Sequence, residues 1–142
     1  MFRHALVAVA LGFFAAFAFA DEPLWTDAQR AERSAVVLVG KVVSVERAAK
    51  LDEREDLYRA VVAIESVTKG EAGAAQAKEQ IALYFEHPKD GVTGKRCPTY
   101  VSLTVDQRAQ FYVRLRKVGP EWRAFLEMGS DVREPPAKPA GA

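Results

Sequence analysis

The sequence predicts a mainly β protein: a five-stranded Greek-key barrel of the oligonucleotide/oligosaccharide-binding type, with a short N-terminal helix. Three observations lead there. Five segments rich in valine, isoleucine and aromatic residues are divided by turn residues, which is how small all-β domains read. The first segment carries Gly40 at its middle, where a closed small barrel has to bend or bulge. Five strands also fall short of the roughly seven that an immunoglobulin-like sandwich takes, while a small Greek-key barrel uses that number.

The helix comes first. Thr26-Asp27-Ala28-Gln29 has the Thr-x-x-Gln form of a capping box, in which the threonine side chain accepts from the first turn and the glutamine reaches back. Leu24, Ala28, Ala31 and Ala35 recur at helical spacing and predict a helix from Asp27 to Ser34. Gln29, Arg30 and Arg33 fall on the opposite side, expected in solvent. The first strand lies in AVVLVGKVVSVERA. Its Val36, Val37, Leu38 and Val39 run without alternation and predict burial on both faces; beyond them Val43 and Val45 alternate with Ser44 and Glu46. LDERED is a charged turn. In the second strand Tyr58, Ala60, Val62 and Ile64 share one face, against Arg59 and Glu65.

EAGAAQAKE follows and predicts a loop with room for one helical turn, since alanine favours helix and Gly73 weakens it. The third strand sends Ile81, Leu83 and Phe85 inward. The fourth sends Phe111, Val113 and Leu115 inward and Tyr112, Arg114 and Arg116 outward. Gly119-Pro120 makes a tight turn, and the fifth strand returns with Trp122, Ala124, Leu126 and Met128 inward.

The two ends read differently from the middle. Arg3 and His4 precede an apolar run from Ala5 to Phe17, and Ala18-Phe19-Ala20 puts small residues at both key positions of a signal peptidase site. Residues 1–20 therefore read as a signal peptide cleaved after Ala20, leaving no stable membrane anchor, because a span needs about 20 apolar residues. The alternative is an uncleaved N-terminal anchor. No cysteine follows the small residues, so a lipoprotein anchor is not expected. The expected location is periplasmic or secreted. Residues 21–132 suffice for one domain with its own core. Residues 133–142, rich in proline and alanine, read as a disordered tail.

Twenty Lys and Arg stand against nineteen Asp and Glu, and loss of Arg3 with the leader balances them. A balanced chain has no bulk attraction for nucleic acid or anionic membrane, so no nucleic-acid partner is expected. The single cysteine, Cys97, allows no internal disulfide although an exported compartment permits one. Stability must then come from packing.

SAVVLVGKVVSVE, YRAVVAIESVTKG, a cysteine loop and SLTVDQRAQFYVRL together resemble the netrin-like domain. Its best-known members are the tissue inhibitors of metalloproteinases, and many exported bacterial proteins are similar to it. Val37 to Val42, Val67 to Gly70, Cys97, and Gln110 to Leu115 occupy the places of the family's motifs, over a stretch from Ser34 to Met128. The resemblance implies an interaction domain and, by fold analogy, an inhibitor of an exported hydrolase. Three departures bound it. The inhibitors chelate the protease zinc through an N-terminal cysteine, whereas cleavage here would expose Asp21, with no cysteine near it, so that mechanism does not carry over. The family's disulfides are missing. Asp106 stands where the family has a turn glycine before the fourth strand, and aspartate tolerates a left-handed conformation better than most residues.

The stretch HPKDGVTGKRCPTY gathers the reactive residue types. Gly91 to Lys95 is too short for a phosphate loop, and Arg96 stands where a Ser or Thr is required. Its glycines suit turns. Cys97 and His87 allow a thiolate and base, with Lys95 and Arg96 lowering the thiol's pKa; no third, orienting group has a recognisable position. Packing of Cys97 as a small apolar side chain, pairing between chains, and redox or metal handling all stay open. A metal site would draw on Glu86, His87, Asp90 and Cys97, a thin donor set beside structural zinc sites. Asp52, Glu53, Glu55 and Asp56 alternate with Lys50 and Arg54 as an ordinary charged turn. With no Gly-x-Ser-x-Gly elbow and no His-Glu-x-x-His pair, neither a catalytic centre nor a cofactor is expected.

What remains is a surface. Tyr112, Arg114 and Arg116 on the fourth strand, with Arg123 and Phe125 on the fifth, alternate basic and aromatic residues on an outward face, as barrels of this type bind ligands. The 87–97 loop is a second rim. The alternative is a solvated face whose arginine stems cover apolar atoms. The sequence therefore reads as an exported, non-enzymatic binding or interaction module for a protein, peptide or glycan. Metal or redox handling through Cys97 and His87, and hydrolase inhibition, stand as the other functions.

Overall fold

The structure, a computed structural model, describes residues 25–70, 79–89 and 100–137. The leader with its Ala20 site, Leu24, most of EAGAAQAKE, Asp90 with the glycine and Cys97 loop, and the end of the tail lie outside the described residues.

The capping box forms as its residues predict. Gln29 N–H donates to Thr26 Oγ1 at 3.2 Å and Thr26 N–H donates to Gln29 Oε1 at 3.0 Å, opening helix α1 (Asp27–Arg33). Strands β1 (Val36–Lys50), β2 (Glu55–Lys69), β3 (Gln80–Pro88), β4 (Arg108–Val118) and β5 (Glu121–Phe125) follow. A 3₁₀ turn at Gly129–Asp131 leads to β6 (Val132–Arg133). Among the described residues the chain is mainly β with one short α-helix, as expected.

The sheet runs β1-β2-β3-β5-β4-β6, and β1 also pairs with β4, so five strands make a ring. All described pairings are antiparallel except β3 with β5. The two-residue β6 goes beyond the five strands expected: Arg133, assigned by composition to the tail, pairs with Gln110. Inside the ring Leu38, Val62, Leu83, Phe111, Val113 and Leu126 are almost wholly buried. Burying each such side chain contributes about 1.5–3 kcal/mol.

Bends occur where the sequence marks them. A Cβ on Gly40 would stand 2.5 Å from Ala63 O, and the β1–β2 register shifts beside it. A second shift between Val42 and Ser44 inserts one residue, so Val42 and Val45 both turn to the core while Val43 is exposed. This corrects the expected pairing of Val43 with Val45. Asp106 adopts φ 73°, the left-handed conformation expected of it. Gly119 at φ 61° and Pro120, whose ring fixes φ negative, connect Val118 to its partner Glu121; these are the φ signs of a type II′ hairpin turn.

Two further expectations are corrected. Arg30, placed in solvent by the helical pattern, is buried. Leu115 and Trp122, placed in the core, are exposed, Trp122 at 67 %. They lie on the inward side of their strands, but β1 pairs with β4 only as far as Val113, so that end of the β4–β5 hairpin runs past its neighbour.

Candidate binding face

Register decides what the outer surface of β3, β5 and β4 presents. Arg114 stands opposite Phe125, Arg116 opposite Arg123, and Tyr84 opposite Phe125. Directly opposed residues point to one side of a sheet, so Arg114, Arg116, Arg123 and Phe125 gather as the alternation predicted. Tyr84 joins them.

Guanidinium groups lie over aromatic rings throughout this face. Arg116 Cζ is 4.6 Å from the Phe125 centroid and Arg123 Cζ 5.0 Å from that of Tyr84. The Tyr84 and Phe125 rings are themselves 5.7 Å apart. At the α1 end, Arg33 Cζ lies 4.4 Å and Arg114 Cζ 5.2 Å from the Trp25 centroid. Such contacts are worth about 0.5–1 kcal/mol each when exposed. They also hold long side chains in place, lowering the entropy lost when a ligand binds. Glu127 accepts from Arg114 Nη1 and from Arg116 Nε, and Glu86 lies 3.8 Å from Arg116 Nη1.

Tyr112 shares the outward side of β4 but is not available as a contact residue. It is 4 % exposed, with Arg30 Cζ 5.9 Å from its ring centroid. Burial pushes its hydroxyl pKa up and Asp27 adds to that, against the opposite pull of Arg133 and Arg30. Phe125 is buried too, under the arginines it supports. Both are therefore platform residues rather than exposed anchors.

Beneath this face lies a polar latch. Arg30 Nη1 donates to Asp131 Oδ1 at 3.3 Å. Asp131 Oδ2 accepts the backbone N–H groups of Glu127 and Met128 at 2.9 and 3.0 Å. The aspartate thus ties α1 to the segment that carries Glu127.

The two described members of the proposed metal site, Glu86 and His87, do not converge. Glu86 and His87 are neighbours on β3 and so point to opposite sides of the sheet: Glu86 toward Arg116, His87 toward Tyr58 and Tyr100. His87 Nδ1 lies 3.0 Å from Val101 O, a carbonyl that can only accept, so Nδ1 carries the proton. Asp90 and Cys97 lie outside the described residues. Among the described residues no group of three or more His, Cys, Asp or Glu gathers as metal ligands would. The face residues that sequence reasoning missed are Trp25, Arg33, Tyr84 and Glu127. Alternation offers a signal for Glu127, two residues beyond Phe125; it offers none for Trp25, which arrives from the far end of the chain. No family model and no curated protein matches this chain, so the case for what the face does rests on its own residues.

Proposed function

We propose that this is an exported, non-enzymatic interaction module on a netrin-like Greek-key barrel, binding a protein or peptide through the outer face of β3, β5 and β4. The barrel is supported by the ring order and by the parallel β3–β5 pairing; a chain that runs up β3 must cross over before β4 to return that way. Export is supported by the basic, apolar and small-residue regions of residues 1–20. The observation that carries the binding role is the gathering of Arg114, Arg116 and Arg123 over aromatic rings on one face. Ordered arginines and aromatics are the residues that dominate interface energetics.

Replacing Arg114 and Arg116 together with Ala is expected to abolish capture of the partner from the native envelope fraction, with the circular dichroism spectrum unchanged. Undiminished capture by the folded double variant would remove this face from consideration.

A further inference from the structure

The two arginines of β4 hold one carboxylate between them. Arg116 Nε donates to Glu127 Oε1 at 3.1 Å and Arg114 Nη1 donates to Glu127 Oε2, so each guanidinium takes one oxygen. Both groups are held from behind by the Trp25 and Phe125 rings. A second observation sets this arrangement apart from an ordinary surface ion pair. Arg114 Nη2 is buried and has no hydrogen-bond acceptor, so Glu127 does not use all that the arginines offer. A buried donor left unpaired is costly.

We propose that Arg114 and Arg116 form a clamp for a carboxylate of an acidic peptide, and that Glu127 is an internal competitor which the peptide displaces. This rests on the binding-face reading above and adds the chemistry of the ligand. The planar fork of arginine matches the paired oxygens of a carboxylate, and Glu127 demonstrates the fit. A peptide is favoured over a sugar because Trp25, Tyr84 and Phe125, the rings on which a sugar would stack, already lie against guanidinium groups. Glu127 is able to leave: its side chain is 25 % exposed, and the backbone beneath it stays fixed by Asp131.

The test is a fluorescence-anisotropy titration of a labelled peptide of alternating Glu and Gly with the full chain. Glu127→Gln, which removes the competing charge but keeps the shape, is expected to bind the probe on the order of ten-fold more tightly than the native chain, the equivalent of one charged contact. Adding Arg116→Ala is expected to erase that gain. Circular dichroism verifies folding, and Glu127→Ala carries the same test should Glu127→Gln fail to fold. Equal affinity of the native and Glu127→Gln chains, or a gain that survives Arg116→Ala, overturns the proposal. Tighter binding of an oligogalacturonate than of the peptide overturns it as well and assigns the clamp to an acidic glycan. The broader reading fails by a separate result, partner capture that survives loss of both arginines.

Discussion

Arg30 with Asp131 and Arg114 with Glu127 are the same chemistry in two settings. Each joins a guanidinium to a carboxylate beside an aromatic ring, and Trp25 stands between them, with Arg30 Cζ 5.8 Å and Arg114 Cζ 5.2 Å from its centroid. Their exposure separates them. The side chains of the first pair are 3 % and 1 % accessible, those of the second 18 % and 25 %. Removing a charge from water costs several kcal/mol, offset only by a full set of partners; Asp131 has them, accepting from Arg30 and from two backbone N–H groups. The second pair keeps more of its contact with water, so it loses less hydration than the first and depends less on a full set of partners. The same two side-chain types therefore act as a fastener in one place and as an exchangeable contact in the other.

The largest expected effect tests the fastener. Arg30→Ala leaves the Asp131 carboxylate buried beside backbone donors only, and is expected to lower unfolding stability by about 3–5 kcal/mol, read from urea denaturation. Asp131→Ala should cost at least as much, since it also strips the Glu127 and Met128 N–H groups of their acceptor. A double-mutant cycle isolates the pair. Should Arg30→Ala cost no more than Arg114→Ala, the distinction between the two settings is wrong.

Next in size are the two arginines that hold Glu127. Arg114→Ala and Arg116→Ala are each expected to change stability by less than Arg30→Ala, by about 1 kcal/mol, Arg114 more than Arg116 because its side chain is 18 % exposed against 43 %. Salt sharpens the contrast. Screening at high ionic strength should shrink the cost of these two substitutions while leaving that of Arg30→Ala nearly unchanged. Equal salt sensitivity at both places would mean that water reaches the Arg30 pair.

How far the sequence reveals this contrast depends on the distance over which each residue finds its partner. The capping box, the Gly119-Pro120 turn and the left-handed Asp106 involve neighbours a few residues apart, and local patterns report them. Alternation correctly put Tyr112, Arg114, Arg116, Arg123 and Phe125 on the outward side. It says which side of a strand a residue takes, however, and not what covers that side. Tyr112 is covered by α1, so it supports the face without being part of its surface. Arg30 is the harder case: its partner lies 101 positions away, and a seven-residue helix whose apolar stripe is alanine has too weak a preference to show which side turns inward. Leu115 and Trp122 fail differently. Their strands extend past the point where β1 stops pairing, which is decided by strand lengths across the ring rather than by their own neighbours. The same inserted residue that brings both Val42 and Val45 inward breaks the period on which alternation depends.

The smallest effect probes the boundary between the two settings, at Tyr112. The residue is largely buried, and the desolvation this brings, reinforced by Asp27, raises its pKa above the ordinary 10.0. Below that ordinary value both folded and unfolded chains keep the proton, and Tyr112 adds nothing to the pH dependence of folding. As the pH rises past it, the unfolded chain releases its proton first, so stability declines until the folded-state value is passed. Tyr112→Phe cannot ionise and should remove this component. Near neutral pH the variant is expected to differ from the native chain by less than about 1 kcal/mol, the scale of a single hydroxyl; in alkaline buffer its unfolding free energy should fall less steeply. Identical alkaline slopes would mean that the Tyr112 hydroxyl is as well hydrated as in the unfolded chain, and that water enters beneath α1 where Arg30 is held.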